Sequence, residues 1–179
     1  MEQNLFGENG IEIPKDLFSN WVYGAGIPKD LPKPNSEKFR IVEESMAKWL
    51  NTENIDTLKT ESWSTHEFLH FFHQLPDSID YSQVKALDAK FNFTNSGNAE
   101  ILTEWFLLTV KKGYRPSFGA MESFLINTGR KKFLMPIYAE LIKTETGKRI
   151  ALNIYKKARE NYHYVSYNSL DKLLNYKTD

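Results

Sequence analysis

The chain has 179 residues, in which 23 Lys and Arg balance 23 Asp and Glu, and it contains no cysteine. That length suits one domain with a sizeable core, while a net charge of zero argues against a general polyanion binder, which needs a basic excess. Disulfides, thiolate zinc sites and thiol nucleophiles are excluded together. Hydrophobic residues at 41% and aromatics at 14% mark a folded chain rather than a disordered tail. No apolar run approaches the ~18 residues of a membrane span, and Met1-Glu2-Gln3-Asn4 does not open a signal peptide. The expectation is a soluble, cytoplasmic protein with neither nucleic acid nor membrane as partner.

Turn formers crowd the first 35 residues (Gly7, Gly10, Pro14, Gly24, Gly26, Pro28, Pro32, Pro34). Residues 1–35 are therefore expected to be an extended lead-in, with one helical turn around Lys15–Asn20. Beyond it, apolar residues recur at helical spacing. Helices are expected over 36–51, 65–75, 81–91, 98–112, 117–128, 131–143 and 148–161, with a short last one over 169–175. Gly113 and Gly129 fit left-handed closing residues, and Ser36, Ser64 and Ser117 fit starting caps. Pro136 should kink its helix or delay its start. Helices of this length on short links, with no strand pattern, indicate an all-α domain of stacked helical hairpins over 36–179.

Residues 66–70, His66-Glu67-Phe68-Leu69-His70, match H-E-x-x-H, in which two histidines one turn apart chelate zinc and the glutamate activates water. His73 extends the stripe, so three of the four histidines share one helical face. The second glutamate such sites need is missing: the position nineteen residues after His70 is Ala89, and Asp88 is a residue out of place. At 100° per residue the histidines lie opposite Phe68, Phe71, Phe72 and Leu75, which predicts that they face solvent or a partner. Ser64-Thr65-His66-Glu67 also reads as a capping box. The expectation is no metal site in this chain, with His66, His70 and His73 as the residues that would hold a metal otherwise.

Three cations follow Gly129: Arg130, Lys131 and Lys132, before Phe133. An Arg–Lys pair held at a turn can receive a carboxylate, Arg by a two-pronged donor and Lys by a point charge. On chemistry alone, an ordinary solvated turn, or pairing with nearby glutamates, is the commoner fate of such residues. Trp21, Trp49, Trp63 and Trp105 read as core or domain-contact residues. The tyrosine-rich end mixes acids with its bases and shows no RNA-binding signature.

Gly129-Arg130-Lys131-Lys132-Phe133 with Pro136 resembles the C-terminal helical domain of the leukotriene A(4) hydrolase family and its bacterial aminopeptidase relatives. The stretches Trp21-Val22-Tyr23-Gly24-Ala25-Gly26-Ile27-Pro28, Phe91-Asn92-Phe93 and Tyr162-His163-Tyr164-Val165 agree in order and spacing, so the resemblance runs from about Trp21 to Leu174. Tyr164 departs from the proline more usual there. The resemblance implies an armadillo/HEAT-like right-handed superhelix that packs on a zinc-dependent catalytic domain of the same polypeptide and closes one wall of its cleft. Zinc, catalytic acids and tyrosine would all lie in that preceding domain, and Met1 would stand where a linker enters. It further implies that Arg130 and Lys132 contact the free carboxylate of a peptide or other small substrate, that Lys131 points elsewhere, and that the chain alone is catalytically silent. A free-standing helical scaffold binding a peptide or protein is the alternative.

Overall fold

The computed structural model describes residues 15–28 and 36–177. By its internal contacts the chain divides into two units, residues 1–36 and 37–179. Much of the expected lead-in, at 1–14 and 29–35, lies outside the described residues. Within the first unit, helix α1 (Lys15–Tyr23) is longer than the single turn expected. Gly24 follows it, where only glycine fits: a Cβ there would sit 2.3 Å from the Asn20 carbonyl oxygen. Gly26 then takes a φ of +87°, a conformation that glycine adopts without penalty.

The second unit is all helix and turn, with no strand among the described residues. Its elements are α2 (Glu37–Thr52), α3 (Thr65–Gln74), α4 (Tyr81–Phe91), α5 (Ala99–Lys112), α6 (Phe118–Asn127), α7 (Lys131–Leu141), α8 (Glu145–Ala158) and α9 (Tyr164–Leu174). Short 3-10 turns at Ile55–Thr57, Phe93–Asn95, Arg115–Ser117 and Arg159–Asn161 join several of them. Side-chain caps set many boundaries. Asp80 and Gln83 cap the start of α4 reciprocally, and Asn98 accepts the Glu100 and Ile101 amides at the start of α5. Gly113, at φ +65°, closes α5 as expected, whereas α6 closes at Thr128 in extended conformation and Gly129 is not a left-handed closing residue. Ser117 precedes α6, but its hydroxyl donates to the Tyr114 carbonyl and makes no cap bond. Pro136 lies inside α7, which neither ends nor starts late because of it; the Lys132 carbonyl simply has no amide donor at position 136.

Helices alternate in their packing. α3, α5, α7 and α9 lie side by side in sequence order, while α6 packs on α8, and α2 covers α3. This arrangement follows from where the apolar residues fall. Trp105 and Phe106 of α5, Leu134 and Ile137 of α7, and Leu170 of α9 are all fully excluded from solvent. An aromatic seam links the first half: Trp49 to Phe71, Phe71 to Trp63 and Phe72, and both Phe72 and Trp105 to Phe93, with ring centroids 5.1–6.1 Å apart. Each such side chain contributes roughly 1.5–3 kcal/mol by burial. The indole N–H of Trp63 is the one buried side-chain donor without an acceptor among the described residues.

Candidate functional site at the start of helix α7

Arg130 occupies the N-cap position of α7 in extended conformation, with φ −84° and ψ 121°, and its side chain makes no cap bond. Lys131 and Lys132 fill the first turn. Three cations thus stand where the helix already presents the positive end of its dipole and its unsatisfied amides, an arrangement that costs about 0.3–1 kcal/mol per charge. The Arg130 guanidinium carbon lies 5.5 Å and Lys132 Nζ 5.4 Å from the centre of the Phe133 ring. That ring is buried, and the two charged groups lean on it while remaining exposed. Lys132 Nζ also donates to Glu100 Oε1 of α5 at 2.5 Å, so the alternative of pairing with a glutamate holds for this lysine. Arg130 has no acidic partner among the described residues. Lys131 is exposed beside it.

The turn is fixed from the far end of the chain. Ser166 Oγ of α9 donates to the Gly129 carbonyl at 2.7 Å. Gly129 also faces the Asn161 carbonyl and the His163 amide, which a Cβ would approach to 3.7 and 3.9 Å. The His163 side chain caps α9, with Nδ1 accepting the Val165 amide at 3.3 Å. α9 is in turn locked by Asp171. Its carboxylate takes both ends of the Arg159 guanidinium at 3.0 and 2.7 Å and the Tyr155 hydroxyl at 2.6 Å. The Arg159 hydrogen bonds hold the Asp171 carboxyl below its ordinary range, and burial raises the Tyr155 phenol. Beneath them, the Tyr162 hydroxyl donates to the Leu125 carbonyl at 2.6 Å and meets the Tyr138 hydroxyl at 3.0 Å. Burial pushes Tyr162 up to about 12. Glu100, Ser166 and Asp171 are supporting residues that no local motif announces, because they lie 32, 37 and 12 positions from Lys132, Gly129 and Arg159.

The histidine stripe of α3 has a different fate. Glu67 is buried, and its Oε2 accepts the Ser64 amide at 2.7 Å and the Ser64 hydroxyl. With the Ser64 side chain accepting in return, this is a complete capping box. The Ser64 bonds hold the Glu67 carboxyl below its ordinary value against the opposing effect of burial. His70 does not face solvent as expected. Its ring stacks on Phe39 of α2 at 4.2 Å and 7°, and its Nε2 lies 2.8 Å from Glu43 Oε1. His66 and His73 are exposed, His73 being 3.4 Å from Glu104. Asp88 is also committed: it accepts the Thr94 amide, the Thr94 hydroxyl and the Tyr114 hydroxyl. Among the described residues no group of three His, Asp or Glu side chains is arranged to hold a metal. No helix among them is long and apolar enough to cross a membrane.

Comparison with known proteins adds to this geometry. The model of the leukotriene A4 hydrolase C-terminal family matches residues 63–174. Aminopeptidase B of Mus musculus is 23% identical over 172 residues, covering 90% of this chain and 26% of the relative. Leucine aminopeptidase 2 of Ajellomyces capsulatus is 24% identical over 157 residues, covering 83% and 24%. Leukotriene A-4 hydrolase of Xenopus laevis is 22% identical over 161 residues, covering 86% and 26%. The chain spans about a quarter of the length of these relatives.

Proposed function

The chain belongs to the family of leukotriene A4 hydrolase C-terminal domains, and from that premise we propose that it is the helical accessory domain of a zinc-dependent aminopeptidase. Its partner is a catalytic domain of the same polypeptide, which supplies the zinc and the acid–base groups. The helical unit takes an armadillo-like superhelical form, supported by the side-by-side stacking of α3, α5, α7 and α9, and it walls one side of the active-site cleft. Residues 1–35 serve as the lead-in from the catalytic domain, and Trp21 and Tyr23, at the end of α1, contribute to that junction.

Arg130 and Lys132 anchor the free carboxylate of a peptide or small substrate. The observation that carries this reading is the electrostatic frustration at the start of α7: cations and open amides converge where a cap would normally supply an oxygen. An anion there satisfies the amides and relieves the repulsion together. Arg130, which has no acid beside it among the described residues, is the primary anchor. Lys132 assists, and the carboxylate competes with Glu100 for it. Anchoring a remote group orients the scissile bond, so its loss lowers turnover as well as binding.

The test joins this chain to a catalytic domain of the family and compares substrates. Arg130→Ala lowers kcat/KM for peptides with a free C-terminal carboxylate by about 10- to 100-fold, the 1.5–3 kcal/mol of a charged hydrogen bond. Aminoacyl anilides, which lack that carboxylate, change by less than about twofold. Equal losses on both substrates would sink the assignment.

A further inference from the structure

A second cationic cluster lies away from α7's first turn, around a cleft of 770 Å³ that involves the end of α5, the Arg115–Ser117 turn, α6, the end of α7 and the start of α8. Lys111, Lys112, Arg115 and Lys143 line it against a single acid, Glu140. The local charge is therefore +3, four cations less one anion, in a chain whose net charge is zero. Two of the cations are engaged: Lys112 Nζ donates to the Asp77 carbonyl at 2.7 Å, and Lys143 Nζ to Glu140 at 2.7 Å. Lys111 and Arg115 have no such partner among the described residues and are exposed. Placement at the end of a helix accounts for Lys111 and Lys112, whose charges favour the α5 C-terminus. It also accounts for Lys143, two positions past the end of α7 and paired with Glu140, but not for Arg115, which comes to the same cleft from a separate turn.

The rest of the lining mixes apolar side chains with Thr144 and Thr146 and two glycines. Val110, Phe118 and Ile150 are half-buried there, and Leu141 is 1% exposed. A cation cluster above a purely polar surface would suit inorganic phosphate, whereas aliphatic and aromatic walls beneath charged groups reward a ligand with an apolar body. We propose that this cleft is a binding site for an amphipathic organic anion, its charged head between Lys111 and Arg115 and its apolar body against Val110, Phe118 and Ile150. The site stands apart from the carboxylate reading of Arg130 and does not depend on it.

The probe is 8-anilino-1-naphthalenesulfonate, with its uncharged relative N-phenyl-1-naphthylamine and inorganic phosphate as the other arms, measured by fluorescence titration on the whole chain. The sulfonate should bind at one equivalent and raise the melting temperature, as a ligand of the folded state must. Lys111→Ala with Arg115→Ala should weaken it about tenfold or more, the loss of at least one charge-assisted contact. Lys85→Ala, an exposed cation on α4, should leave it unchanged. The naphthylamine should bind at least about tenfold more weakly, and phosphate should fail to displace the probe at equal concentration. Equal binding of charged and uncharged probes overturns the role of the cations, and that comparison on the native sequence holds whatever the variants do. Displacement by equimolar phosphate overturns the apolar contribution. Binding at several equivalents, or equal loss in Lys85→Ala, overturns the site itself.

Discussion

Helices α3 and α7 both begin with a string that invites a chemical reading, and the two beginnings are opposites. At α3, Ser64 and Glu67 satisfy each other's amides, and the glutamate that would activate a zinc-bound water is consumed as structure. At α7, Arg130 occupies the same position without a cap bond, and two lysines follow it into the positive end of the helix. One start is locally satisfied, and the other has no side-chain cap. The difference teaches that a short motif is decided by the partners its side chains already have. Natural chains depart from local rules mainly where function compensates.

Removing the satisfied carboxylate should show the largest effect on stability. Glu67→Ala removes the acceptor of the Ser64 amide and hydroxyl and half of the capping box, and should cost about 1–2 kcal/mol, seen as a fall in melting temperature of roughly 2–8 °C at this chain length. A change below about 0.3 kcal/mol would erase the contrast between the two starts. The same contrast appears with acid. The carboxyls of Glu67 and Asp171 both titrate below their ordinary values of 4.5 and 3.8 when folded. Their contribution is present above those values and is lost as pH falls through the folded ones. Acid titration of the melting temperature should therefore decline below about pH 4.5 and decline less steeply in Glu67→Gln, whereas Arg130→Ala should leave that limb unchanged.

The unsatisfied start can be satisfied artificially. Arg130→Asp places a good capping oxygen in a residue already at φ −84° and ψ 121°. The helical unit should gain about 0.5–1 kcal/mol in denaturant unfolding while carboxylate selectivity disappears. A destabilised variant that keeps selectivity would contradict both halves of that reading. The smallest effect belongs to Glu100→Gln. It frees Lys132 at a stability cost below about 0.5 kcal/mol, since the pair is exposed, and should strengthen inhibition by a carboxylate-bearing peptide by about two- to fivefold.

Most of the helical order is legible in the sequence, because apolar spacing and caps are local properties. Residues 81–91 form α4 as expected, between Asp80 and the left-handed Asn92. The misses have physical causes. α8 starts at Glu145 rather than 148 because Thr144 caps it, and Gly147, which reads as a turn, sits within the helix. Glycine is required there: a Cβ would come within 2.0 Å of the Leu141 carbonyl oxygen. α9 starts at Tyr164 rather than 169, although Tyr164, Val165, Tyr167 and Asn168 are weak helix formers. Its first turn is held by Ser166 on Gly129 and by the His163 cap, and the first of these is a tertiary bond that no window of sequence displays. The cations of the candidate site were visible because they are contiguous. Glu100, which qualifies the role of Lys132, was not.

The bond from Ser166 to Gly129 also has a consequence in time. A ribosome must add 37 residues after Gly129 before the serine that fixes this turn exists, a delay of roughly 2–7 s at ordinary rates of synthesis. During that interval α7 emerges with its charges in place but its turn untethered. The geometry on which carboxylate recognition would depend therefore sets later than the helix that carries the charges, and a chain cut short before Ser166 keeps the charges without their alignment.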